Sequence, residues 1–325
     1  MSSTQSIGGY FELELRQRDS LFHDNAVALN SGRNAFAYIL ESLGVKKIHL
    51  PLYICSVMFQ PLHKLQIDYD FYSINEQLEP DQNFTVGGDE YILYINYFGL
   101  KNATAQKLAQ KYTNTILDNA QAFFDLPCNH TPTFYSPRKF FGVPDGGFVY
   151  ANGNSMPSLP QDDTSFERCA HLLKRIELDA SEGFSDFRSH EQGFDNRFMA
   201  GMSRLTKRIL LNIDYEWVRT KRNKNFNELH TALRKFNRFS PLIDAATITG
   251  PMMYPYLCDD KHLRERLQKN NIFTPIYWPQ ISEVSNGSNG SESYLSEHLI
   301  PLPIDQRYGR RDMHRIVSVI MEYNE

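Results

Sequence analysis

EYILYINYFGLKNATAQKLAQKYTNTILDNAQAFF, residues 90–124, holds a strand, a helix and a second strand in one stretch. YILYINYF is a run of β-branched and aromatic residues of strand length, and NTILDNA has the same character. Between them NATAQKLAQKY carries its apolar residues at helical spacing. Strands joined through a helix pair in parallel, because the crossover returns the chain to the same end of the sheet. The pattern continues upstream. SGRNAFAYILESLG reads as a helix after Ser31, and KKIHLPLY as a short strand ending at a proline. ICSVMFQPLHKL reads as a helix running up to Pro61, and QIDYDFY as another strand. Strands recurring with helices between them predict an α/β fold built on a mostly parallel, doubly wound sheet.

The texture changes after about Pro157. SFERCAHLLKRIELDASEG is a charged helical pattern, and MAGMSRLTKRILLNIDYEWVRTKRNKNFNELHTALRKF reads as one helix long enough to link two domains. From SPLIDAATITGPMMYPYLC onward, short strand-like runs and a helix around DKHLRERLQKNN suggest a small α+β unit. SNGSNGSES, Ser285–Ser293, is expected to be a polar flexible loop. The division expected is a large α/β domain, residues 1–212, followed by a small C-terminal α+β domain, residues 213–325.

Composition bounds the function. The chain has 325 residues, 41% hydrophobic and 22% charged, with a formal net charge of -4 and both signs interspersed. No basic footprint for nucleic-acid phosphates follows from that distribution, so small molecules are the expected partners. The N-terminus lacks a basic segment followed by an apolar one, and no apolar run approaches the roughly 20 residues that cross a bilayer. A cytoplasmic protein with no membrane partner is expected. The four cysteines are scattered without Cys-x-x-Cys spacing, and the ten histidines include no paired metal-binding pattern, so no metal is expected. NSGRNAF falls short of the glycine fingerprint of dinucleotide sites.

Three local arrangements carry chemistry. In YSPRKFFGVPDGG, Lys139 stands three residues after Ser136, and Gly146 and Gly147 let the chain turn into GFVYA. A lysine held in so apolar a segment is expected to be partly desolvated, which would favour a nucleophilic amine able to form a Schiff base. In LDNAQAFF, Asp118 ends a strand, so its carboxylate points into the crevice where such sheets bind ligands, or else caps the turn that follows. Gln121 lies three residues on. In NSGRNAF, Ser31 and Gly32 open a helix whose free amides and positive dipole end suit a phosphate, with the Arg33 guanidinium available to add to it. Tyr53 in LPLYICSV reads either as a stacking platform for a flat ring or as core packing. The basic runs WVRTKRNKNF and RYGRRDMHR read as solvated helix faces.

Taken in order, SGR at Ser31, LDNAQA at Leu117, YSPRK with its following DGG at Tyr135, GFDNRF at Gly193 and LPIDQRYG near the end resemble the DegT/StrS-type nucleotide-sugar aminotransferases. The resemblance spans most of the chain. It implies the aspartate-aminotransferase-like fold (fold type I) and pyridoxal 5'-phosphate (PLP) as cofactor. Lys139 would be the Schiff-base lysine, Asp118 the partner of the pyridinium nitrogen, and Gln121 a hydrogen-bonding residue at the ring's phenolic oxygen. Gly32 and Arg33 would occupy the phosphate turn, Ser136 would supply a hydroxyl to the phosphate, and Tyr53 lies near the family's ring-stacking position. The family also sends an asparagine from a GxNxR-like segment to the partner subunit's phosphate; here Asp195 holds that place, and Asn196 beside it is the residue named. Arg33 stands where threonine is common, the serine before the lysine has an unusual offset, and the chain is shorter than typical members.

What the resemblance implies is transfer of an amino group from an amino acid, with glutamate the expected donor, to a nucleotide-linked keto sugar, in a homodimer whose active site lies at the subunit interface. A PLP-dependent lyase or dehydratase on the same fold is a rival, although the sugar dehydratases of this group substitute the lysine. A non-catalytic nucleotide-sugar binding protein on the same scaffold is the rival from another class.

Overall fold

Seven strands make the main sheet: β1 Val27–Leu29, β2 Lys47–Pro51, β3 Asp68–Tyr72, β4 Tyr91–Ile95, β5 Thr115–Asp118, β6 Thr133–Tyr135 and β7 Gly147–Tyr150. This computed structural model describes residues 7–81, 84–128, 130–151, 153, 158–195, 197–279 and 290–322. The strands lie in the order β1-β7-β6-β5-β4-β2-β3. β2 to β6 pair in parallel, and β7 runs antiparallel to both β6 and β1. The parallel doubly wound sheet expected from sequence is therefore present, with β7 and β1 closing one edge.

The stretch from Glu90 to Phe124 folds as strand, helix α3 (Asn102–Lys111) and strand, in register from Ile92↔Thr115 to Ile95↔Asp118. All four residues of β5 are buried, as a strand flanked by two parallel neighbours requires. Helix α1 (Gly32–Leu43) begins where the Ser31 hydroxyl accepts the Asn34 N–H at 3.0 Å, and it ends at Gly44 in the left-handed region, φ 62°. Helix α2 (Phe59–Leu65) corrects the expectation of a helix ending at Pro61: the proline lies in its first turn, where a missing N–H breaks no intrahelical bond.

A second correction concerns the long pattern after Met199. It breaks into α6 (Arg204–Leu211) and α7 (Tyr215–Leu233), because the Asp214 carboxylate accepts the Trp217 N–H at 3.0 Å and starts a new helix. Between sheet and α6 lie α4 (Ala170–Glu177) and α5 (Phe184–Gln192). Beyond α7, β8 (Met253–Leu257) pairs antiparallel with β9 (Leu299–Pro303). These strands, α7, α8 (Leu263–Lys269) and the helix Arg310–Met321 enclose a second buried cluster, including Phe226, Leu229, Tyr254, Leu302 and Met313. The first cluster fills both faces of the large sheet and also takes in Val218, Met252, Trp278 and Leu299 from the C-terminal third. Most of SNGSNGSES lies outside the described residues; its end, from Ser291, opens the helix Ser291–His298 rather than continuing a loop. Among the described residues no helix is long and apolar enough to cross a membrane.

Candidate active site

Parallel pairing of β5 with β6 brings Asp118 opposite Phe134, so the ends of two neighbouring strands carry Asp118 and, just beyond Tyr135, the turn Pro137–Lys139. Asp118 is buried. One carboxylate oxygen accepts the Ala120 N–H at 2.8 Å; the other takes no hydrogen bond among the described residues. The capping reading of this aspartate is thus realised by one oxygen. Burial raises its pKa, against which the charge of Lys139 and the Ala120 amide pull downward. Among the described residues Lys139 is the side-chain charge that lowers it.

Lys139 itself corrects an expectation. The residue is exposed rather than held inside, because the backbone turn, with Lys139 N–H on the Ser136 carbonyl at 3.2 Å, buries Pro137 and directs the lysine outward. The apolar character of the segment comes instead from Phe140, Phe141 and Val143, which are buried.

The start of α1 abuts this turn. A Cβ on Gly32 would lie 3.2 Å from the Ser136 Cβ, so glycine leaves a space bounded by the Ser136 side chain. The Arg33 amide has no partner among the described residues, as expected for the first turn of a helix, whereas the bridge between Ser31 and Gly146 sets the Gly32 N–H against the Gly146 carbonyl. Across from them Gly146 takes φ 126°, and a Cβ on Gly147 would fall 2.3 Å from the Ser31 carbonyl oxygen. Both glycines of PDGG are therefore needed to bring the two loops together. The Arg33 guanidinium is directed elsewhere: its Nη1 donates to Gln60 Oε1 at 2.7 Å and to Asp195 Oδ1 at 2.9 Å. That ion pair corrects the expectation that Arg33 adds its charge to the helix start. Asn196 lies outside the described residues.

Gln121 is buried, and its Oε1 accepts the Phe98 N–H at 2.9 Å, which leaves its Nε2 without a partner among the described residues. Phe98 sits in the left-handed region, φ 60°, a conformation that this bond helps to hold. For Tyr53 core packing prevails: its ring stacks on Tyr97 at 5.8 Å and meets Trp278 edge-on at 4.5 Å, inside the first cluster.

A cavity of about 570 Å³ opens beside the lysine turn. Lys139, Arg138, Arg175, Arg307, Phe184 and Phe187 are among its walls, whereas Asp118, Gln121, Gly32 and Ser136 are not. Sequence reading missed two features here. Arg138, partly buried, ion-pairs with Glu191 and lies over the Phe194 ring at 4.3 Å. Arg222, from a run read as solvated, is 1% exposed and, among the described residues, bonds only to neutral oxygens. Its place on the same buried face of α7 as Asn225, Phe226 and Leu229 was the available signal.

The donors and acceptors present suit PLP: an Asp118 oxygen without a hydrogen bond among the described residues, the Arg33 amide and a serine at a helix start, an unused amide of Gln121, and a lysine within the field of the aspartate. Neither a protein-family model nor a curated protein matches the sequence. Solved structures do. An aminotransferase described as DegT DnrJ EryC1 StrS from Brucella abortus aligns over 92% of this chain and 85% of its own, at 15% identity and TM-score 0.61. Helicobacter pylori PseC, an aminotransferase of pseudoaminic acid biosynthesis, aligns over 91% and 86%, at 16% identity and TM-score 0.61. The PLP form of the sugar aminotransferase Spr1654 from Streptococcus pneumoniae aligns over 91% and 87%, at 13% identity and TM-score 0.57. The chain has the fold of these aminotransferases.

Proposed function

We propose that the protein is a PLP-dependent aminotransferase that moves an amino group from an amino acid, with glutamate the expected donor, to a nucleotide-linked keto sugar. The observation that carries this reading is the coupling of the exposed Lys139 to the buried, half-satisfied Asp118 at the carboxyl ends of adjacent strands. When bound, PLP supplies an electron sink for the bond broken at the donor's α-carbon. Asp118 would hold the proton on the ring nitrogen, and in doing so would recover the stabilisation its carboxylate loses by burial. The Arg33 amide and the Ser136 hydroxyl, with Gly32 leaving room between them, would hold the phosphate, and Gln121 Nε2 would donate to the ring oxygen. Lys139 would anchor the cofactor and then, as base and acid, move the proton at the α-carbon.

The cavity beside Lys139 suits the acceptor. Arg138, Arg175 and Arg307 in its walls are suited to a diphosphate, and Phe184 and Phe187 to flat or apolar parts of a nucleotide. The likeness to sugar aminotransferases supports the same class of acceptor. The division at 212/213, cytoplasmic location and a homodimer with a shared active site belong to this proposal too. Leu173, Ile176 and Phe184 on α4 and α5 are exposed next to the cavity, a surface that a second copy would cover.

The test is spectroscopic. Added PLP produces a visible absorption band, glutamate bleaches it, and a keto-sugar nucleotide restores it; Lys139→Ala abolishes the band. A band that no amino donor bleaches would exclude transamination, and absence of any band would favour a binding protein.

A further inference from the structure

Arg222 is a charged side chain placed where a hydrophobic one would pack. It is 1% exposed, and among the described residues no carboxylate hydrogen-bonds to it. A guanidinium so buried costs several kcal/mol unless its donors are used. They are used on the backbone of two separate segments and on the side chain of a third. Nη1 donates to the carbonyls of Pro251 at 3.1 Å and Met252 at 3.2 Å, Nη2 to the carbonyl of Phe140 at 3.3 Å, and Nε to Gln306 Oε1 at 3.0 Å. Gln306 Nε2 also donates to the Phe140 carbonyl, at 2.8 Å, and the guanidinium lies over the Phe140 ring at 4.5 Å. Phe140 immediately follows Lys139.

The chain of bonds continues to the other side of the site. The Met252 N–H donates to the Phe98 carbonyl at 2.8 Å, and the Phe98 N–H donates to Gln121 Oε1 at 2.9 Å. Gln121 is three residues from Asp118. Lys139's turn and Asp118's loop, which leave neighbouring strands, are thus joined again through the C-terminal third of the chain, with Arg222 at the junction.

We propose that Arg222, supported by Gln306, is a positioning residue that clamps the backbone after Lys139 and so fixes the lysine relative to Asp118 and Gln121. Arginine suits the place because its planar fork spreads donors over three nitrogens and reaches three carbonyls at once, whereas a lysine gathers its donors on one nitrogen. The clamp also couples the second buried cluster, to which α7 and β8 belong, to the geometry of the lysine turn. The value of Lys139's position rests on the PLP reading above.

The experiment compares wild type with Arg222→Lys, Arg222→Met and Gln306→Glu, the last keeping Arg222's acceptor while removing the second donor to Phe140. Amide exchange is followed by mass spectrometry in residues 137–143 and in β4, without cofactor, and PLP affinity is measured from the visible band. The expected result is at least tenfold faster exchange in 137–143 with β4 unchanged, and about tenfold weaker PLP binding, in both Arg222 variants. Gln306→Glu should give a smaller change of the same kind and keeps the test decisive if an Arg222 variant fails to fold. Exchange that rises equally in turn and core, or in neither, would overturn the proposal and leave Arg222 a general stabiliser. Loosening confined to the turn in a protein that forms no band even as wild type would retain the clamp and refute the PLP reading.

Discussion

Burial holds the carboxyl of Asp118 above its usual range, and a cation against its free oxygen would reverse that. Asp118→Asn keeps the shape and the Ala120 hydrogen bond but cannot hold a positive ring nitrogen. Turnover with glutamate is expected to fall by about 10²-fold or more, with little change in thermal stability. Gly147→Ala acts differently. Its Cβ would meet the Ser31 carbonyl oxygen at 2.3 Å, so the helix start must move away from Ser136. A loss of about 1–3 kcal/mol in chemical denaturation, with weakened PLP binding, is expected. The sequence displays such residues because their chemistry is local: LDNAQA and YSPRK…DGG are short enough for spacing to be informative. It does not display which way a side chain leaves a turn. Lys139 is exposed, Tyr53 is packed and Arg33 is paired with Asp195, each for reasons that lie many residues away.

Asp214 shows the same limit one scale up. Helical periodicity runs through LLNIDYEW without interruption, yet the Asp214 side chain satisfies the Trp217 N–H and restarts the helix. Asp214→Ala is expected to cost about 1 kcal/mol, read as a lower unfolding midpoint, because an orphan N–H loses its acceptor. Strands β2, β4 and β5 were legible because a strand buried on both faces must be apolar and β-branched along its length. The helix start at Phe59 was not: a proline reads equally as the end of one helix or the first turn of the next, and only the preceding chain decides.

At the scale of the molecule, His23 ties the segment before the sheet to Phe123 and Tyr150, with ring nitrogens 2.9 Å from the Phe123 carbonyl and 3.2 Å from the Tyr150 hydroxyl. Burial lowers its pKa from 6.5 to about 4. The folded protein keeps this imidazole neutral, whereas the unfolded chain protonates it near 6.5. Its contribution is therefore complete above that pH and is lost as pH falls toward about 4, a change of about 3 kcal/mol. Urea denaturation at several pH values should show His23→Gln with a shallower acid loss than wild type. The fold class was legible as alternation of elements, but the antiparallel edge formed by β7 and β1, the two buried clusters and the Arg222 junction depend on pairings far apart in sequence. The Arg222 junction reaches the turn that carries Lys139, and on the proposed reading Lys139 and Asp118 converge on one cofactor. Reduction of the PLP-treated protein with borohydride, followed by peptide mass spectrometry, tests that convergence most directly. The account predicts a pyridoxyl-phosphate mass on Lys139, lost on that peptide in Lys139→Ala and diminished in Asp118→Asn; a label on another lysine, or none, would contradict it.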